Sequence, residues 1–138
     1  RGVAVVLRSS AQRAGDLAGR WGGEEFLVVL SETGVGGAVV VAERIRTGVE
    51  ALRIAHAGSP VSPNVTISVG CASGNPGRGC EWISLVRAAD EALYRAKRNG
   101  RNRVETGRLD LLDGPNADAS TPGGDDGRGA PNGADATG

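Results

Sequence analysis

Arg20-Trp21-Gly22-Gly23-Glu24-Glu25-Phe26-Leu27-Val28-Val29-Leu30 decides how this chain is read. Paired glycines make a tight turn, and five consecutive apolar residues after it predict a strand covered on both faces. The segment Leu17–Trp21 before the glycines completes a β-hairpin. Glycines also let a backbone approach a ligand closely and offer N–H groups to an anion. Two adjacent carboxylates follow. Hard oxygen ligands suit Mg²⁺, which binds through one or two carboxylates plus substrate phosphates. Two readings therefore stand: a corner for phosphate and magnesium, or a hairpin tip with solvated acids. Spacing alone favours the second.

Outward from the hairpin, Val3, Leu7, Ala11 and Ala14 recur with helical period and predict a helix before it. After a loop at 31–37, Ala38, Val41, Ala42, Ile45, Val49 and Leu52 form the clearest amphipathic stripe, with Glu43, Arg46, Glu50 and Arg53 left for water. Val65, Ile67, Val69 and Cys71 alternate with small or polar residues and predict a strand over 65–72, with a loop over 74–79 beyond it. Leu85, Ala89, Ala92, Leu93 and Ala96 mark a third helix, ended by Asn99-Gly100, before a short strand at Arg103-Val104. The order helix, hairpin, helix, strand, helix, strand is that of an α+β fold, a mixed β-sheet flanked by helices.

Composition bounds the rest. The 138 residues carry 16 basic and 16 acidic side chains, so no global field points to nucleic acid or a membrane surface. From Asp113 to Gly138 there are five Asp, one Arg, seven Gly and three Pro, and no large apolar residue. Such a stretch buries too little to offset the entropy of ordering. The expected division is a folded unit at 1–106 and a disordered tail at 107–138. No apolar run has the length of a bilayer span. The chain opens with Arg1 and contains no Met, which reads as a fragment. Cys71 and Cys80, with one His in the chain, read as reduced thiols of a cytoplasmic protein rather than zinc ligands. Trp21, Phe26 and Trp82 read as packing residues.

Two further clusters carry charge. Lys97 and Arg101 lie four apart across the end of the third helix, where they suit phosphate oxygens or, more simply, complement the helix dipole. Arg13 and Asp16 share one turn and suit a local ion pair. Arg44, on the second helix, is placed to come near them.

Taken together and in order, these features resemble the GGDEF domain of bacterial diguanylate cyclases. The signature stands as Gly22-Gly23-Glu24-Glu25-Phe26. Val65-Thr66-Ile67-Ser68-Val69-Gly70 is similar to the family's strand after the second helix, and Ala89 to Val104 to its closing helix and strand. The resemblance covers about residues 3–105. It implies a nucleotidyl-cyclase, ferredoxin-like palm that condenses two GTP into cyclic di-GMP across a homodimer. By position, Gly22 and Gly23 would lie against the nucleotide. Glu24 and Glu25 would be catalytic and would hold Mg²⁺ or Mn²⁺. Lys97 and Arg101 would hold the terminal phosphates, and Arg13, Asp16 and Arg44 the inhibitory product. The family's first strand, central in its sheet, and its guanine-reading helix start have no counterpart here. The isolated chain is therefore expected to be inactive. A cyclic di-GMP receptor acting through Arg13 and Asp16, or a non-functional remnant, are the alternatives. Trp21 stands where the family usually has Tyr.

Overall fold

The computed structural model describes residues 2–75 and 80–109. Part of the loop expected at 74–79, and the tail from 110 onward, lie outside the described residues. Seven elements follow in order: α1 (Gly2–Ser10), β1 (Leu17–Gly22), β2 (Glu25–Val29), α2 (Val35–Ala51), β3 (Val69–Cys71), α3 (Trp82–Arg98) and β4 (Val104–Thr106).

α1 stops before Ala11 and Ala14, short of the expected stripe. The hydroxyls of Ser9 and Ser10 both donate to the Val6 carbonyl, and the Gln12 amide donates to that of Ser9. The Gln12 amide thus occupies a carbonyl that a further turn would use. Gly15, at φ 100°, then reverses the chain into β1.

β1 and β2 pair antiparallel, Leu17 opposite Val29 and Arg20 opposite Phe26, with an irregularity before the Gly22–Glu25 pair. Ala18 and Val28 face each other across this hairpin and pack on the first core, formed by Leu7, Ile45 and the fully buried Val49. α1 lies on α2 there, and Gly48 lets Val6 come close: a Cβ at Gly48 would stand 2.9 Å from Val6 Cγ1. The expectation that β2 is covered on both faces fails. Val29 is 47% exposed and its partner Leu17 66%, because the described residues put a helical layer on one face of the hairpin only. Trp21, Phe26 and Trp82 are likewise exposed rather than packed.

β3 and β4 form a separate parallel pair, Val69 opposite Val104 and Cys71 opposite Thr106. The α+β class holds, with antiparallel and parallel pairing both present. Among the described residues, however, no ladder joins the two pairs into one mixed sheet. The strand expected over 65–72 is correspondingly short. Val65 and Ile67 still reach the first core, but ladder pairing begins only at Val69. Before it, the Val65 N–H donates to the Ile54 carbonyl beside an isolated Ala55–Asn64 bridge.

α3 covers β3 and β4 through a seam of small residues. Ala88, Ala92 and Ala96 are buried along it. A Cβ at Gly70 would lie 2.0 Å from the Ala89 carbonyl oxygen, and one at Gly107 2.1 Å from that of Ala88. Gly107 also donates its N–H to the Cys71 carbonyl at 2.6 Å. Gly107 therefore belongs to the folded part, although composition groups it with the tail. Helix backbone replaces side chains as the packing surface, so both positions require glycine for space alone.

Candidate active site

The Gly22-Gly23 turn sits at the exposed tip of the hairpin. Gly23 takes φ 45°. Arg20 fixes the turn from within: its Nε donates to the Gly23 carbonyl at 2.8 Å, and Nη2 reaches the same oxygen. Gly22 has no positive φ, and a Cβ there, as at Gly23, would meet no atom within 4 Å. Packing in this chain does not demand its smallness. Glu24 and Glu25 follow the turn, both exposed. Glu24 takes no ion pair among the described residues.

α3 delivers the cationic side of the site. Its C-terminus is closed by Gly100 at φ 109°, with the Asn99 N–H on the Arg95 carbonyl and the Arg101 N–H on that of Ala96. Lys97, in the last turn, places Nζ 3.6 Å from Glu25 Oε1. The signature turn and the basic helix end, distant in sequence, thus meet at one place. Both side chains are about half exposed, 45% and 47%. An ion pair of that kind contributes roughly 0–1 kcal/mol, so an incoming metal or phosphate displaces it easily. Arg101 lies just past the helix, exposed and at φ 60°.

Among the described residues no cluster of three or more His, Cys, Asp or Glu is placed to enclose a metal. Two exposed carboxylates beside a lysine are a donor set for a cation that arrives with phosphates and keeps its waters, as Mg²⁺ does. Glu24 and Glu25 fit that group. Cys71 and Cys80 are free thiols, and burial pushes the Cys71 thiol up, away from reactivity.

Arg13, Asp16 and Arg44 line a second cleft of about 360 Å³ with Thr33, Val40 and Val41 among its walls. Arg13 and Asp16 are joined differently from a simple ion pair. The Arg13 backbone N–H donates to Asp16 Oδ2 at 3.0 Å, and the Ser31 N–H to Oδ1 at 3.0 Å. The Arg13 guanidinium turns instead to Thr33 Oγ1 at 3.2 Å. These backbone bonds, led by that from Arg13, hold the Asp16 carboxyl below its ordinary value. Asp16 thereby fastens the loop after α1 to the loop after β2, and it sets the shape of the cleft.

Sequence reasoning missed Arg46 and Asn102. The helical stripe assigns Arg46 to water, yet its side chain is only 18% exposed and binds Glu43, Glu50 and Asn102. The spacing of Glu43, Arg46 and Glu50, at i−3 and i+4, was the available signal. Nothing in the sequence indicated Asn102, which is 56 residues away from Arg46.

The family model described as diguanylate cyclase, GGDEF domain, matches residues 1–103. The chain belongs to the GGDEF family. Among its relatives, diguanylate cyclase A of Treponema denticola is 45% identical over 109 residues, covering 79% of this chain and 28% of that protein. The response regulator PleD of Caulobacter vibrioides is 43% identical over 104 residues, covering 75% of this chain and 22% of that protein. The chain thus spans about a quarter of the length of such relatives. Of solved structures, the GGDEF domain of DgcB from Caulobacter crescentus in complex with c-di-GMP superposes with a TM-score of 0.65 at 33% identity, over 77% of this chain and 61% of that one. The active GGEEF domain of a diguanylate cyclase from Vibrio cholerae gives 0.60 at 34% identity, over 77% and 64%. These GGDEF neighbours share the palm fold. No helix among the described residues is long and apolar enough to cross a membrane.

Proposed function

We propose that these residues are the C-terminal part of a diguanylate cyclase catalytic domain, which condenses two GTP into cyclic di-GMP with Mg²⁺ or Mn²⁺ as cofactor. The observation that carries this reading is the meeting of Glu25 and Lys97 at 3.6 Å, which sets the acidic signature turn against the basic end of α3. Attack of a 3′-hydroxyl on an α-phosphorus builds charge on the leaving pyrophosphate. Lys97 and Arg101 neutralise it by holding the terminal phosphates, and their charges are in place before the reaction begins. Gly22 and Gly23 offer a surface without side chains to the nucleotide, in keeping with the open space at Gly22. Glu24 and Glu25 would hold the cation, and Arg20 keeps the turn that presents them in one shape. When bound, the cation supplies Lewis-acid stabilisation of phosphoryl oxygens and helps to orient the substrate. As Lys97 turns to phosphate, Glu25 is released from it and becomes available to the cation. Two such domains, each with one GTP, would face each other in a homodimer.

This chain covers only part of the solved GGDEF structures it matches, 61% of the solved DgcB chain and 64% of that from Vibrio cholerae. The reaction accordingly belongs to a complete domain, and the 138-residue chain alone is inactive in this reading. In a complete domain, Glu24→Ala abolishes cyclic di-GMP synthesis from GTP and Mg²⁺ while the far-ultraviolet circular dichroism is unchanged. Full activity in that variant would remove the assignment.

A second role has its own support. Arg13, Asp16 and Arg44 share one cleft, and relatives have been solved with c-di-GMP bound. We infer that this cleft takes the product, the two arginines facing its phosphates. Asp16 acts first as the fastener of the cleft wall, since each of its oxygens already accepts a backbone N–H. Each oxygen keeps a further lone pair for a guanine edge. If synthesis is lost in evolution, the same cleft would serve as a receptor.

A further inference from the structure

Gly100, Arg101 and Asn102 follow α3 with φ of 109°, 60° and 45°. Glycine takes this left-handed region freely and asparagine tolerates it, but arginine does not. A run of such residues persists only where surrounding contacts over-determine it. Here the contacts come from α2. Arg46 Nη1 donates to Asn102 Oδ1 at 2.9 Å, and Asn102 Nδ2 donates to Glu50 Oε1 at 3.1 Å. Arg46 Nη1 also donates to Glu50 Oε2 at 3.1 Å, which closes a ring of three side chains. Arg46 is anchored in turn by Nε on Glu43 Oε2 at 2.8 Å. The amide can sit in only one orientation, its oxygen toward the guanidinium and its nitrogen toward the carboxylate. Arg101 takes no part in the ring. Its backbone N–H is held by the Ala96 carbonyl at 2.9 Å, and its side chain is left exposed.

We propose that Arg46, Glu50 and Asn102 form a positioning clamp, which holds this left-handed turn from α2 and thereby aims Arg101, beside Lys97, at the terminal phosphates of the nucleotide. The inference rests on the phosphate-holding reading of Lys97 and Arg101 and adds to it three residues that touch no phosphate. Release of the Asn102 amide frees the turn to leave its disfavoured backbone region, and Arg101 swings away. A clamp that only stitched α2 to the α3–β4 connection would change stability and leave phosphate discrimination alone.

The test uses the 138-residue chain and a probe that needs no base recognition: magnesium tripolyphosphate against magnesium orthophosphate, titrated by calorimetry. Asn102→Ala removes both amide bonds and leaves a Cβ at a left-handed position, so the turn is free to relax. Arg46→Lys keeps the charge and removes the fork. Arg101→Ala is the reference. Expected is a preference for tripolyphosphate that falls roughly ten- to a hundredfold in Arg101→Ala, the span of a charged hydrogen bond lost, and roughly three- to tenfold in each clamp variant, where that bond is misaligned. Wild-type preference in both clamp variants, alongside its loss in Arg101→Ala, would overturn the clamp and leave the phosphate reading standing. No preference in the wild type, or an unchanged one in Arg101→Ala, would overturn the phosphate reading and the clamp with it. Circular dichroism identifies a variant that fails to fold, and the other then carries the test. Failure of both to fold marks the ring as a structural stitch and overturns the proposal.

Discussion

At the scale of single residues, groups that would bind nucleotide in the proposed function are distinct from groups that hold other groups. Lys97 faces Glu25 in an exposed pair, and Arg101 extends from a fixed turn. In a complete domain, Lys97→Ala and Arg101→Ala should each raise the GTP concentration needed and lower turnover. The expected loss is about 1.5–3 kcal/mol of transition-state stabilisation, that of a charged hydrogen bond, read from kcat/KM. Arg13 has the opposite signature. Its guanidinium faces the second cleft, far in character from the signature turn, so Arg13→Ala should leave the initial rate intact and relieve inhibition by added cyclic di-GMP. Identical inhibition curves for wild type and variant would show that the cleft is not the product site. Asp16 adds a pH dependence. Its folded value lies below the ordinary 3.8, so the stability it confers is complete above that value and fades as pH falls through the lower one. Melting temperatures of wild type and Asp16→Asn should differ at neutral pH and converge only as pH falls from 3.8 through the lower folded value. A gap that persists in acid would exclude the carboxylate as the cause.

The elements show why the cationic half of the site is rigid. α3 is seated on β3 and β4 by backbone contact, with Gly70 under Ala89 and Leu93 and Gly107 under Ala88. A methyl group at either glycine meets helix backbone, which cannot move aside as a side chain would. Gly70→Ala should destabilise the chain by at least the roughly 1–3 kcal/mol of overpacking, seen as a lower urea midpoint with an unchanged slope. Gly22→Ala, with no atom within 4 Å of its Cβ, should leave that midpoint nearly unchanged. The two together separate glycine kept for packing from glycine kept for a ligand. The hairpin, in contrast, is anchored on one face, through Ala18 and Val28, and its tip carries Glu24 and Glu25 in solvent.

Among the described residues, two strand pairs, the core of Leu7, Ile45 and Val49, and the alanine seam of α3 have to be held in register. α2 links them, since it packs α1 through Ile45 and Val49 and grips the α3–β4 connection through Arg46. Purified 138-residue chain incubated with GTP and Mg²⁺ should form no cyclic di-GMP above a Glu24→Ala control, because positioning by part of a domain is inadequate for a reaction between two bound nucleotides. Turnover above that control would show that the chain suffices.

Much of this was legible in the order of residues. Local rules govern turns, helix ends and period, so the hairpin, α2, α3 and the cap at Gly100 followed from the sequence, and the GGEEF signature with Lys97 and Arg101 named the candidate site. Other features depend on what lies opposite in space. Whether β2 is covered on both faces and whether Val65 to Ser68 find a ladder are settled by neighbours that hydropathy does not encode. The 3.6 Å approach of Lys97 to Glu25 and the ring of Arg46, Glu50 and Asn102 belong to the same class. A sequence specifies the chemical character of each side chain and the local path of the backbone. Only packing brings residues 50 or more positions apart within hydrogen-bonding distance, and that distance decides whether a charge is solvated or holds another group in place.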